Sequence, residues 1–259
     1  MLYRVSVAVH RVVRDARSSP HRADVVAMGA DGTPTEELDR LAEAEILKVL
    51  DAEGVDWDLV SEEIGHVPRG GTRTLVVDPI DGSHNALRNQ PFFTVSLALG
   101  RGDLAGVEVG LVRDLHHGTT WWAARGAGAF RDGRPIQTRP WNQRTETVFV
   151  NLGRNATERS VRLAGKARRV RSLGCASMEL LMVAQGSADG YFFENSAENR
   201  NLRSTDIAGA YRILLEAGGG FADARGEALE TFPLQLDRRT SVFAWGDPAF
   251  RTAAQKEYL

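Results

Sequence analysis

Cysteine is nearly absent from the 259-residue chain. Cys175 is the only one, so no intrachain disulfide can form and the fold must hold by packing. Lysine is scarce as well: Lys48, Lys166 and Lys256 are the only three, and every other basic side chain apart from histidine is arginine. An excess of charge is also missing. The formal net charge of −2 removes the electrostatic case for nucleic acid or an anionic membrane as the main partner. No apolar run approaches the length that spans a bilayer. The stretch from Met1 to Arg11 has scattered charges and no signal-peptide core, which leaves Asn155-Ala-Thr157 an idle sequon. These absences predict a cytoplasmic, soluble protein. Repeats, low-complexity segments and flexible linkers are lacking too, so residues 1–259 read as one unit with lobes of about 1–140 and 141–259.

What the chain does have is periodicity that changes along its length. Leu2, Val5, Val9, Val12, Val13 and Ala16 share one helical face, predicting a helix over 2–18. Thr33-Pro34-Thr35-Glu36 has the form of a capping box with Pro at the first helical position, opening a second helix that ends before Gly54. Residues 57–61 read as a short strand. Alternation over 92–99, 106–112, 119–123 and 128–136 then predicts an antiparallel meander, with Asp132-Gly133 as a hairpin turn and Trp121-Trp122 on opposite faces. Beyond Pro140, strands and helices alternate: strands at 147–150, 170–173, 190–193 and 241–245, helices at 155–165, 178–185, 206–217 and from Pro248. Helices against sheets make a layered architecture of the α/β or α+β class. Its first lobe sets helices on a largely antiparallel sheet, and its second lobe is α/β.

The chemistry concentrates in Leu75-Val-Val-Asp-Pro-Ile-Asp-Gly-Ser-His-Asn85. The apolar run Leu75 to Val77 reads as a buried strand that Pro79, lacking an N–H, brings to a stop. Asp78 and Asp81 follow in the turn, and Gly82 allows close backbone approach beside the Ser83 hydroxyl. Glu62 and Asp206 also stand where a strand ends or a helix begins. Four acids at element ends converge on a cleft, and such a cluster needs positive charge between its members. Oxygen donors suit Mg²⁺, two or three ions, with Mn²⁺ as the alternative; zinc would favour His and Cys.

Three segments, Ser61-Glu-Glu-Ile-Gly65, Asp78-Pro-Ile-Asp-Gly-Ser83 with Asn85, and Thr205-Asp-Ile-Ala-Gly-Ala210 leading to Glu216-Ala-Gly-Gly219, resemble the motif set of the inositol monophosphatase family. That superfamily of metal-dependent phosphatases includes fructose-1,6-bisphosphatases, and the resemblance implies an α+β fold, a layered α-β-α-β-α sandwich. Order and separation match across almost the whole chain, most closely to archaeal-type members. The resemblance implies that Glu62, Asp78, the Ile80 carbonyl, Asp81 and Asp206 hold metal. It implies that Gly82 and Ser83 hold the phosphate through backbone N–H groups. Asp39 is similar to the acid that activates the attacking water together with the Ser83 hydroxyl. Two departures stand out: Glu36 replaces a threonine, which leaves Asp31 and Glu36 as rivals to Asp39, and Thr205 replaces a tryptophan.

For substrate, Glu194 resembles an acid that binds sugar or inositol hydroxyls, and Gly174, Cys175 and Ala176 line the same region. Arg203 is similar to an arginine of enzymes that act on both inositol monophosphate and fructose 1,6-bisphosphate; a solvated loop arginine is the alternative. The basic run of Arg159, Arg162, Lys166, Arg168, Arg169 and Arg171 reads as a solvated helix face and strand start. The implied activity is Mg²⁺-dependent hydrolysis of inositol monophosphate, fructose 1,6-bisphosphate or both, by a homodimer. A 3′-phosphoadenosine 5′-phosphate phosphatase and a catalytically silent binding subunit remain the alternatives.

Overall fold

Residues 1–30, 32 and 34–258 are described by a computed structural model of the chain. It begins with α1 (Leu2–Ala16), the ribbon strands β1 (Val25–Met28) and β2 (Pro34–Glu36), and α2 (Glu37–Ala52). There follow β3 (Asp58–Ser61), β4 (Gly65–Val67), β5 (Thr74–Asp81), the short α3 (Ser83–Leu87), β6 (Thr94–Gly100), β7 (Val109–Asp114), β8 (Thr120–Ala124), β9 (Ala129–Arg131) and β10 (Arg134–Ile136). The second half supplies β11 (Val148–Val150), α4 (Glu158–Lys166), β12 (Val170–Arg171), α5 (Ala176–Ala184), β13 (Gly190–Phe193), a 3₁₀ turn at Glu198–Arg200, α6 (Ser204–Glu216), β14 (Gly220–Ala222), β15 (Val242–Trp245) and α7 (Pro248–Glu257).

Side-chain alternation sorts these elements into five layers. An eight-stranded sheet runs β10-β9-β8-β7-β6-β5-β3-β4 and a five-stranded sheet runs β12-β11-β13-β15-β14. On β5, Leu75 and Val77 face the α1–α2 side with Val5, Val9 and Ile46, while Val76 faces α5 and α6. On β13 and β15, Tyr191, Val242 and Ala244 point back to α5 and α6, while Phe192 and Phe243 pack with Leu163 of α4 and Phe250 of α7. Period two on a strand means opposite faces, so both faces of each sheet are covered by helices. The α+β sandwich implied by the family resemblance is the observed architecture, with α5 and α6 as its middle layer.

Three local expectations are corrected. The strand through Asp78 does not stop at Pro79. β5 continues to Asp81 because one extra residue is absorbed between the pairs Asp78↔Ser96 and Asp81↔Thr94. A bulge is the place where a central strand tolerates proline. Second, α2 begins at Glu37 with Glu36 at its N-cap; Pro34 to Glu36 instead pair antiparallel with β1. Thr33, the expected capping residue, and Asp31 lie outside the described residues. Third, Arg159 is no solvated helix residue, since its guanidinium pairs with Glu194. The Asp132-Gly133 turn is as expected, with φ of 47° and 77°, the left-handed pair that joins twisted strands tightly. Trp121 is buried, and Trp122, next along β8, stacks on Phe130 at 4.7 Å.

α6 crosses the eight-stranded sheet at close range because two glycines meet there. A Cβ on Gly110 would lie 2.2 Å from the Gly209 carbonyl oxygen, and one on Gly209 would lie 2.8 Å from Ser96 Oγ. Both obstacles are held by backbone or short side chains. Gly110→Ala is therefore expected to lower stability by about 1–3 kcal/mol in a denaturant titration, through overpacking that lifts α6 off the sheet. Unchanged stability in that titration would contradict the contact.

Candidate active site

The one parallel pairing in the eight-stranded sheet joins β3 to β5, in the register Asp58↔Thr74 through Ser61↔Val77. One step further, that register sets Glu62 beside Asp78 where the two strands release their side chains. α6 approaches from the sheet face and delivers Asp206 in its first turn. One carboxylate oxygen from each of Glu62, Asp78 and Asp206 lies within 4.8 Å of the others. Asp78 is buried, and burial first, then the charges of Glu62, Asp81, Asp206 and Asp39, drives its pKa well above the usual carboxylate range.

Charge compensation inside the protein comes from Arg203. Its side chain is 4% exposed and its Nη1 donates to Glu62 Oε1 at 3.4 Å. Its backbone N–H donates to Asp206 Oδ2 at 2.7 Å. The solvated-loop reading of this arginine is thereby removed. The donor set is all oxygen and free of His and Cys, and one guanidinium cannot neutralise three carboxylates. This fits a divalent cation of the hard, oxygen-seeking kind.

Asp81 faces a different neighbourhood, the start of α5. Its Oδ2 accepts from Ser177 N at 2.6 Å, Ser177 Oγ at 2.5 Å and Cys175 Sγ at 3.3 Å, and its Oδ1 accepts from Ala176 N at 3.2 Å. Burial raises its pKa, and these hydrogen bonds oppose the rise. Between the acids, the Ile80 N–H donates to Asp78 Oδ1 at 3.0 Å. Gly82 has φ of 84°, and a Cβ there would meet the Phe92 carbonyl at 2.8 Å and Cys175 Cβ at 3.1 Å. Only glycine fits both constraints. Ser83 opens α3 half-buried, and Asn85 Nδ2 ties that turn to the nearby Phe92 carbonyl (2.7 Å) and to the Leu173 carbonyl before α5 (2.8 Å). Gly174, Cys175 and Ala176 thus border the Asp78–Ser83 segment. Burial pushes the Cys175 thiol well up, so it packs and donates rather than attacks.

Asp39, in the first turn of α2, is also buried. Burial, then Glu63, then a carboxyl hydrogen bond with Glu36 raise its pKa, and no N–H or hydroxyl among the described residues donates to its Oδ2. An orphaned, basic carboxylate oxygen near Asp78 has the character of a proton acceptor. Glu36 is the partner in that hydrogen bond, and Asp31 lies outside the described residues. Glu194 is placed elsewhere. Thr157 Oγ1 (2.8 Å) and Arg159 hold it in a neighbouring groove lined by Asn195, Asp223 and Ser241, not in the cavity that Glu62 lines.

Sequence reasoning missed Ser177, Glu179 and Glu43. Ser177 supplies two of Asp81's hydrogen bonds, and its position just inside a helix start was the available signal. Glu179 accepts from Leu173 N, and burial lifts its pKa to about 7. Glu43 accepts from Ser61 Oγ (2.5 Å) and Ile64 N (3.2 Å), bracing the turn that carries Glu62.

These raised carboxylates make the metal-free protein sensitive to alkali. A carboxyl whose folded pKa lies above its unfolded value binds more proton in the native state, so stability falls as pH rises. For Glu179 that window runs from 4.5 to about 7. The thermal midpoint of chelator-treated protein should therefore fall between pH 5 and pH 8. Asp78→Asn should recover roughly 1 kcal/mol at pH 8, about 2–4 °C, by removing one like charge. A variant less stable than wild type at pH 8 without metal would argue against repulsion in the cluster.

Comparison with known proteins gives the same picture. Residues 1–255 match the inositol monophosphatase family. The chain is 34% identical over 257 residues to a fructose-1,6-bisphosphatase/inositol-1-monophosphatase of Methanothermobacter thermautotrophicus, covering 94% of this chain and 90% of that protein. It is 35% identical over 221 residues to a protein of the same name from Thermococcus kodakarensis, covering 85% and 80%. A crystal structure described as an inositol monophosphatase-fructose 1,6 bisphosphatase superposes with a TM-score of 0.83 at 26% identity, over 98% of each chain. With the motifs, the layers and the carboxylate cluster in agreement, the chain belongs to the inositol monophosphatase family of phosphatases.

Proposed function

We propose that this chain is a Mg²⁺-dependent phosphomonoesterase that hydrolyses inositol monophosphate, fructose 1,6-bisphosphate or both. The observation that carries the reading is the convergence of Glu62, Asp78 and Asp206 within 4.8 Å. The names of the two archaeal relatives support the substrate class. Glu62, Asp78 and Asp206, with Asp81 and the Ile80 carbonyl, are the groups to hold two or three ions, Mn²⁺ serving in place of Mg²⁺. Bound there, the metal supplies a water of lowered pKa and neutralises phosphoryl charge.

The protein's own groups do the rest. Asp39 Oδ2, basic and without a donor, accepts the proton of the attacking water, and the Ser83 hydroxyl orients that water. Gly82, turned left-handed, presents the first N–H groups of α3 to the phosphate. The Ser177 bonds to Asp81 keep that carboxylate in one orientation, which preserves the geometry between turnovers. Arg203 keeps Glu62 in place while the site is charged. Gly174, Cys175 and Ala176 border the leaving group. A cytoplasmic homodimer completes the proposal; no helix among the described residues is long and apolar enough to cross a membrane.

Phosphate release from inositol 1-phosphate and fructose 1,6-bisphosphate, with and without Mg²⁺, tests the reading. Asp206→Asn keeps an acceptor for the Arg203 N–H but loses the charge. It should fold normally and lower turnover at least about 100-fold. Turnover that ignores Mg²⁺, or a variant as fast as wild type, would sink the proposal.

A further inference from the structure

Glu179, on α5, is a buried carboxylate with no cationic partner among the described residues. Burial lifts its pKa to about 7, so the fold bears a cost at this position. The Tyr191 hydroxyl, buried on β13, gives no relief, since it bonds to nothing among the described residues. What Glu179 holds is backbone. Its Oε1 accepts from the Leu173 N–H, and the Gly174 N–H also favours its charged form. The carbonyls of the same two residues are taken by a different partner. Asn85 Nδ2 donates to the Leu173 carbonyl at 2.8 Å and reaches the Gly174 carbonyl at 3.4 Å. Asn85 belongs to α3, and its backbone N–H donates to the Gly82 carbonyl at 2.8 Å. Gly174, left-handed at φ of 71°, also abuts that turn directly. Its carbonyl oxygen stands 3.3 Å from where a Gly82 Cβ would lie. One continuous path of contacts therefore runs from Glu179 through Leu173 and Gly174 to Asn85 and the turn of Gly82 and Ser83.

We infer that Glu179 is a positioning residue for the phosphate: it fixes the Leu173 and Gly174 backbone that seats Asn85, and so aims the N–H groups of the turn at Gly82 and Ser83. The inference rests on the phosphatase reading above, in which that turn holds the phosphoryl group. Glu62, Asp78 and Asp206 stand on other elements, at the end of β3, on β5 and on α6. Loss of Glu179 therefore bears on phosphate more than on the cation. What the Leu173 N–H requires is an acceptor oxygen, which glutamine also supplies.

Calorimetric titration of the Mg²⁺-loaded protein with inorganic phosphate, beside steady-state kinetics on inositol 1-phosphate and fructose 1,6-bisphosphate, provides the test. Glu179→Leu fills the space but accepts no hydrogen bond. It should weaken phosphate binding and lower kcat/KM by about fivefold to tenfold, the scale of one lost buried hydrogen bond, while Mg²⁺ affinity stays within about twofold. Glu179→Gln should restore phosphate affinity to within about twofold of wild type. Glu179→Asp, one methylene short of the Leu173 N–H, carries the same comparison should the leucine variant not fold. Asn85→Ala should repeat the phosphate loss, and the double variant should lose no more than the worse single one, because both act on one segment. Equal losses of phosphate and Mg²⁺ affinity, a glutamine variant as weak as the leucine one, or additive losses in the double variant would overturn the assignment. If wild type releases phosphate from neither compound, the phosphatase reading fails on its own. The phosphate titration then decides the inference: binding weakened in Glu179→Leu and restored in Glu179→Gln retains it, and binding equal to wild type, or no binding by wild type, removes it.

Discussion

Three carboxylates whose oxygens lie within 4.8 Å repel one another, and the buried member, Asp78, cannot rely on water to screen that repulsion. The surroundings of the site follow from this constraint. Arg203 brings a buried positive charge to Glu62, and its peptide N–H caps Asp206. Asp81 is directed to the polar start of α5. Glu43, Ser61 and the Ile64 N–H brace the turn that carries Glu62. None of these groups removes the repulsion; each holds a carboxylate in place against it. Clustered like charges of this kind oppose folding, the trade expected where a charged ligand completes the structure.

The fold imposes the cluster through two packing decisions. A single parallel strand pair in an otherwise antiparallel sheet aligns Glu62 with Asp78, sixteen residues apart in sequence. A glycine-to-glycine approach then lets α6 lie close enough to the sheet for Asp206 to join them. The bulge at Pro79 sets Asp81 against the start of α5 while its charge still bears on Asp78, so that one short segment serves two neighbourhoods.

Much of this was legible before folding. The apolar run of Leu75 to Val77 marked a buried strand, and the helical spacing of Val5, Val9 and Val13 marked the first helix. The motif residues pointed to the acids of the site. Less legible were features that depend on contacts far along the chain. Pro34 to Glu36 carry the letters of a capping box, yet pairing with β1 wins because a partner strand satisfies their backbone groups. Arg159 has the look of a surface residue on its own helix, but Glu194, 35 residues away, claims its guanidinium.

By itself the sequence determined most of the strands and helices, the acids and the glycine turn, because local periodicity, donor chemistry and backbone freedom are properties of neighbouring residues. Only the tertiary structure decided how closely Glu62, Asp78 and Asp206 approach, that Asp81 is held by the start of α5, and that Arg203 is buried against Glu62. Those outcomes depend on strand register and helix approach, which bring together side chains that no local pattern connects.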